Sequence, residues 1–408
     1  MSGSRRTLSN RAAYGLAGGV IGLGLFASLT PSPLYRTYSV LWHFSPVTLT
    51  LIYATYAFGV LVALLLAGGV SDDVGRRPVL LVALGVLMAS TVLFMAAGSA
   101  AWLFAARALQ GLATGAALSA ASAALLDLHP RRDPAGVGLT NGTVAASGIG
   151  LGMLVSSALV QLGWHPRVLP YAVLLLLFAI AFAGAYWMPE PVLERKRFHV
   201  RVERPNVPAV VRRPFTLAAL AVLSSWSIGA LFFSLGPQLA DQLFRTNNVI
   251  LSGVGIVALA AAAVVAQLVT ARITPWVATS AGSIALAVGM ILIVVAAASD
   301  SSATYLVASI LGGAGFGAAF LGGLRALMAA IPHEHRAAVM SAFYVAAYAS
   351  LSVPAVLAGI VVTHLGLQST FEVFGSVVAA LALVVAFEAW RTQPRRMLVR
   401  QEVAHAEA

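Results

Sequence analysis

Apolar residues in this chain run together in stretches of about 18–28, the length that crosses a hydrocarbon core as a helix. Twelve such runs can be drawn, at about 12–30, 47–70, 79–97, 101–127, 136–162, 168–188, 215–243, 249–272, 275–297, 303–330, 337–363 and 367–390. The breaks between them are short, except for EPVLERKRFHVRVERPNVPAVVRRP at 190–214, which separates two sets of six. A gapless shift of 202 residues relates the sets, pairing TGAA (114–117) with FGAA (316–319), Gly111 with Gly313 and Pro130 with Pro332. It also carries the first run's start, Ala12, onto Pro214. The pattern predicts an all-α membrane protein of 12 transmembrane helices in two pseudo-symmetric six-helix bundles. The expected boundaries are 1–189 and 215–392 for the bundles, 190–214 for a cytoplasmic linker and 393–408 for a cytoplasmic tail. Parallel repeats of this kind place a binding site between the halves near the midplane.

Composition agrees. Of 408 residues 60% are hydrophobic and 10% charged, with mean hydropathy +0.90, where a soluble domain carries roughly 25% charged residues. The absence of cysteine excludes disulfides, a thiol nucleophile and thiolate metal sites. The first run is too long for the apolar core of a leader, about 7–15 residues, so it reads as a span. The net charge of +11 suggests nucleic acid until the charges are placed. Twenty of the 25 basic residues fall in the termini and the connections that share their side. Only Arg36, Arg167 and Arg245 lie in the opposite connections, while Arg107 and Arg325 fall inside spans. The basic residues thus report topology: both termini cytoplasmic in a multi-pass protein of the plasma (cytoplasmic) membrane, with no nucleic-acid partner.

A second charged cluster is GGVSDDVGRRPVLL, at 68–81, where the second span leaves the membrane. Asp72 sits at a helix C-terminus, where the dipole disfavours a carboxylate and calls for a cation. Gly75 permits a positive φ, and Pro78 suits the first turn of the next helix. Residues 68–78 resemble the loop between helices 2 and 3 of major facilitator superfamily transporters, G-x-x-x-D-[R/K]-x-G-R-[R/K], through Gly68, Asp72, Gly75, Arg76 and Arg77, with Asp73 in place of a basic residue. RALQG at 107–111 resembles the helix 4 motif R-x-x-Q-G, and GIGLGMLVSS at 148–157 a worn helix 5 antiporter motif with Met153, Ser156 and Ser157 replacing Pro and two Gly. The chain is thereby similar to the drug/proton antiporter branch of that superfamily. The resemblance implies that Asp72 pairs with Arg336 and Arg76 with Asp127, as a switch closing the cytoplasmic side. It also implies that helix 5, through Gly148 and Gly152, packs on helix 8 of the other half.

Arg107 lies mid-span, about two turns from the outer end of its helix, where an unpartnered arginine is costly. It is expected to face the cavity, and Arg325, nearer a helix end, to snorkel. No acid lies mid-span; a cavity with Arg107 and no carboxylate favours neutral or anionic amphiphiles. Helices 1, 2, 4, 5, 7, 8, 10 and 11 face the cavity in the family. Gln110, Tyr53, Tyr56, Asn141, Trp226, Phe233, Tyr344 and Tyr348 are then further substrate-binding candidates. The eight histidines show no metal spacing, so neither a metal nor a cofactor is expected, nor is catalysis. The leading expectation is a monomeric secondary active exporter of drug-like compounds or metabolites, working by alternating access with protons as candidate coupling ion. An importer or facilitator of an organic anion, a lipid flippase and a membrane receptor are the rivals.

Overall fold

The computed structural model describes residues 7–67, 70–192, 206–332 and 335–392, without the side chains of Ala67, Arg336 and Ala337. Its long helices are α1 Asn10–Leu29, α2 Pro46–Ala67, α3 Arg76–Met95, α4 Ala100–Leu128, α5 Pro134–Leu162, α6 Leu169–Tyr186, α7 Arg212–Ser234, α8 Val249–Thr270, α9 Pro275–Ala298 and α10 Ser302–Ala330. The last stretch, Arg336–Arg391, turns at Gly366 (φ 80°, ψ 173°) and so forms α11, residues 336–365, and α12, residues 367–391. These are the twelve expected spans. α7 starts at Arg212, inside the expected linker; residues 193–205 of that linker, and the tail from 393, lie outside the described residues.

The internal repeat is visible as geometry. α1 and α7 start at Asn10 and Arg212, again 202 residues apart. Each is followed by a short helix, Tyr35–Trp42 or Gly236–Phe244, ending in a left-handed residue, His43 or Arg245, both at φ 49° and also 202 apart. Within each half, one helix approaches another through two glycines a turn apart. A Cβ on Gly111 or Gly115 would lie 2.3 or 2.6 Å from the carbonyl oxygens of Tyr56 and Val60 on α2. One on Gly313 or Gly317 would lie 2.2 or 2.5 Å from those of Leu259 and Ala263 on α8. Small residues let backbones meet where lipid removes the hydrophobic drive for association.

Two helix pairs make most of the contact between the halves, α2 with α11 and α5 with α8. The glycines on the α8-facing side of α5 are Gly142, against Gln267, and Gly150, against Ala260, while Gly253 of α8 meets Met153 and Ser157. Gly148 and Gly152 face elsewhere: added Cβ atoms would lie 2.0 and 2.4 Å from the carbonyl oxygens of Gly22 and Phe26 on α1. The expected pairing of these two glycines with helix 8 is therefore corrected to helix 1. Positions two apart on a helix point about 160–200° apart, so Gly148 and Gly150 serve opposite neighbours.

Candidate functional site

The site starts from a break in α1. Thr-Pro-Ser-Pro at 30–33 follows Leu29, and Pro31, having no N–H, leaves the carbonyl of Ala27 without its helical donor. Side chains from α4 and α5 supply donors instead. Gln110 Nε2 donates to Ala27 O (3.0 Å), Arg107 NH1 to Ser28 O (2.9 Å) and Ser156 Oγ to Thr30 O (2.6 Å). Arg107 is fully buried. It donates also to Tyr35 Oη from Nε (2.7 Å) and NH2 (2.5 Å), and from NH1 to Gln110 Oε1 (2.8 Å). The rings of Tyr35, Tyr56 and Phe94 stand 5.3–5.8 Å from the guanidinium carbon. Arg325 does similar work on α8: its NH1 donates to Thr270 O (3.1 Å) and Ile273 O (3.0 Å), at the helix C-terminus. It caps a helix end where snorkelling was expected.

Between the halves lies a cavity of about 490 Å³. Its lining comes from α1, α2, α4, α5, α7, α8, α10 and α11, with none from α3, α6, α9 or α12. Tyr53, Tyr56, Asn141, Trp226, Phe233, Tyr344 and Tyr348 all line it; Arg107 and Gln110 do not. The expected cavity-facing role of these two is corrected, because the carbonyls released by the α1 break hold both inside the first bundle. Sequence reading missed Gln267, Ser119, Ser122, Phe316, Phe320 and Phe343, which also line the cavity. Phe316 and Phe320, one turn apart in FGAAF, and the isolated amide Gln267 in an apolar run were signals that could have been read.

The cavity is asymmetric along the helices. It reaches Asp72, Met340 and Ser341, on the side that carries both described chain ends, here the termini side. Its other end stops at Tyr53, Phe233 and Leu351. On that distal side the two short helices meet through an ion pair, Arg36 NH1 to Asp241 Oδ2 at 2.9 Å. Ser252 Oγ donates to the other oxygen of Asp241, and the Val249 amide donates to Gln161 Oε1 at 2.8 Å.

The charged loop at the termini side is organised by Arg76. Its Nε donates to Asp127 Oδ2 (3.1 Å), and its NH1 lies 2.5 Å from Asp72 Oδ1 and 2.7 Å from Ser71 Oγ. Gly75 has φ 111°, as its position demanded. A residue unmarked in the sequence reading completes the turn. Glu190, just past α6, accepts the amides of Arg76 (2.9 Å) and Arg77 (3.1 Å), the first N–H groups of α3. That carboxylate meets the positive end of the α3 dipole, and a Cβ on Gly75 would lie 2.6 Å from it. Arg77 lies over the Tyr186 ring at 5.2 Å. The Asp72 side chain is 62% exposed; Gly68 and the side chain of Arg336 lie outside the described residues.

Residues 14–353 match the Major Facilitator Superfamily sequence profile. The chain is 35% identical over 136 residues to Multidrug resistance protein D of Escherichia coli, an alignment spanning 32% of each protein. Among solved structures it resembles the human organic anion transporter MFSD10 (TETRAN), with TM-score 0.68 and 18% identity over 94% of this chain and 100% of that one. It also resembles the xylose transporter XylE from E. coli in a partially occluded, inward-open conformation, with TM-score 0.74 and 13% identity over 94% and 98%.

Proposed function

The chain belongs to the Major Facilitator Superfamily, whose members move small molecules across membranes, and from that premise we propose that it is a secondary active exporter of small amphiphilic molecules, coupled to protons. The observation that carries this reading is the cavity between the repeats. It reaches the termini side at Asp72 and ends beneath the Arg36–Asp241 contact on the distal side. That is one half of an alternating-access cycle, in which the bundles rock about a midplane site. The basic residues crowd the termini side, so this side is cytoplasmic and the conformation inward-facing. Outward direction draws support from the partial similarity to a multidrug resistance protein. The cavity is lined wholly by one chain, which supports the monomer as the transporting unit.

The natural absence of cysteine makes the test direct. Single cysteines replace Ser341, at the termini-side rim, and Gln238, at the distal side. In vesicles of known orientation, a transported compound should lower labelling of one and raise labelling of the other, with flux out of the compartment facing Ser341. Two labelling rates that ignore every compound tested, with no flux in a drug and metabolite panel, would overturn the proposal.

A further inference from the structure

The two walls of the cavity are chemically different. On the second half, Tyr348, Trp226, Phe320, Phe343 and Tyr344 form an unbroken chain of five rings. Consecutive centroids lie 5.2, 5.6, 6.3 and 6.3 Å apart, and every ring lines the cavity. The facing wall, from α4 and α5, has no ring and is mostly small or polar, with Ser119, Ser122 and Asn141 beside Leu118 and Ile149. Ser122 Oγ donates to Asn141 Oδ1 at 3.3 Å, which leaves the Asn141 amide hydrogens for another acceptor.

Two buried polar atoms of lining residues have no hydrogen-bond partner among the described residues, the indole N–H of Trp226 and Oε1 of Gln267. Buried donors and acceptors in proteins are paired almost without exception, so a small turn of either side chain into the adjoining cavity would let a ligand's acceptor or donor satisfy it. Fixed charge is scarce. Among the described residues, Asp72 is the one charged residue lining the cavity, and it sits at the rim, paired with Arg76. Behind the wall, Arg107 lies 5.3 Å from the Tyr56 ring with no carboxylate partner among the described residues. Its positive charge opposes a buried cation, while its donors are engaged by Tyr35, Gln110 and the Ser28 carbonyl and offer an anion no contact. A charge without a partner is costly to bury, and flat rings gain from offset or edge-on contact with other rings.

We propose that the cavity selects uncharged, planar aromatic molecules bearing a hydrogen-bond donor and an acceptor on their edges. The flat face lies on the ring wall of α7, α10 and α11, and the polar edges are read by Trp226, Gln267 and the α4/α5 wall. This rests on the transport reading above, and it narrows the expected neutral or anionic class to the neutral one.

The test uses the full chain in lipid nanodiscs and four probes of similar size. Acridone is neutral and planar with one N–H and one C=O; proflavine is the cation, acridine carboxylate the anion, and cyclododecanone the neutral, non-aromatic control. Acridone should bind tightest, by about tenfold over each of the others, a factor worth about 1.4 kcal/mol. Trp226→Phe keeps a ring and removes only the donor, and should weaken acridone and cyclododecanone, each of which presents a carbonyl acceptor, by a similar severalfold factor. Trp226→Leu should weaken acridone further. Equal or tighter binding of either charged probe, or equal losses for acridone and cyclododecanone in Trp226→Leu, would overturn the assignment. The two readings fail separately. Acridone bound as described but not carried by reconstituted protein sinks export and leaves the pocket chemistry; labelling that responds to another compound while acridone does not bind sinks the pocket chemistry and leaves transport.

Discussion

Arg107 and Arg325 meet one electrostatic need, since both bring a guanidinium to backbone carbonyls at or just past the end of a helix. A buried carbonyl left without a donor costs roughly 1–3 kcal/mol, and a helix C-terminus is itself favourable for a cation. Arg107→Ala should therefore act on folding and turnover before it acts on affinity. In detergent the variant should melt several degrees lower and transport slowly, while an acridone Kd, if measurable, moves less than about threefold. Arg107→Lys keeps the charge without the planar fork that spans Tyr35, Ser28 and Gln110, and should recover only part of the stability. A large loss of affinity in an otherwise stable Arg107→Ala protein would restore this residue to the binding site. The Arg36–Asp241 pair belongs at the same scale. Arg36 is 60% exposed, and exposed pairs contribute about 0.2–1 kcal/mol. Asp241→Asn should shift the population open to the distal side no more than severalfold, read as the labelling rate of a cysteine at Gln238.

At the scale of helices, the distal closure rests on packing more than on charge. A Cβ on Gly359 of α11 would lie 2.0 Å from Thr50 Oγ1, 2.8 Å from its Cγ2 and 2.9 Å from its Cβ. Thr50 is short and fully buried, so no side-chain rotation relieves the overlap and the helices must part. Gly359→Val should favour the distal-open form strongly, raising cysteine labelling at Gln238 more than Asp241→Asn does. Gly142 offers a contrast at nearly the same distance. Its Cβ would lie 2.2 Å from Gln267 Oε1, but that atom ends a flexible chain that can swing aside. Gly142→Ala should leave the conformational balance in place and change acridone affinity through the displaced Gln267. A conformational shift from Gly142→Ala equal to that from Gly359→Val would show that α5 and α8 are also a rigid stop.

For the molecule as a whole, we propose that the charged loop at 70–77 is a switch, here in its released state. Asp72 faces solvent and pairs with Arg76 on its own loop, while Arg76 also holds Asp127 of α4. Closing the termini side would bring the start of α11, residue 336 onward, towards Asp72. A charge-assisted hydrogen bond contributes about 1.5–3 kcal/mol, so losing one in the closed state shifts the balance about tenfold or more. Asp72→Asn should accordingly hold the protein open to the termini side, with faster labelling of a cysteine at Ser341, slower turnover and unchanged expression. Normal labelling and transport would leave the loop as an anchor of topology.

The hydrophobic run lengths alone determine twelve spans, because a bilayer demands about 20 apolar residues per helix whatever the fold. The 202-residue repeat was equally legible, and it recurs in the structure down to the left-handed residues His43 and Arg245. Seven cavity residues were found because a polar or aromatic side chain in an apolar span has few places to go. Tertiary structure decided the rest. Whether Arg107 faced the cavity or the bundle depended on where the carbonyls at the α1 break lay, on a helix 79 residues away in the chain. Glu190 became the cap of α3 from 113–114 residues distant, and Gly148 chose α1 over α8. Each outcome turns on which donor meets which acceptor, or which backbone fits against which, across separate helices. Run length and composition carry no record of rotation about a helix axis, and that rotation sets every such meeting.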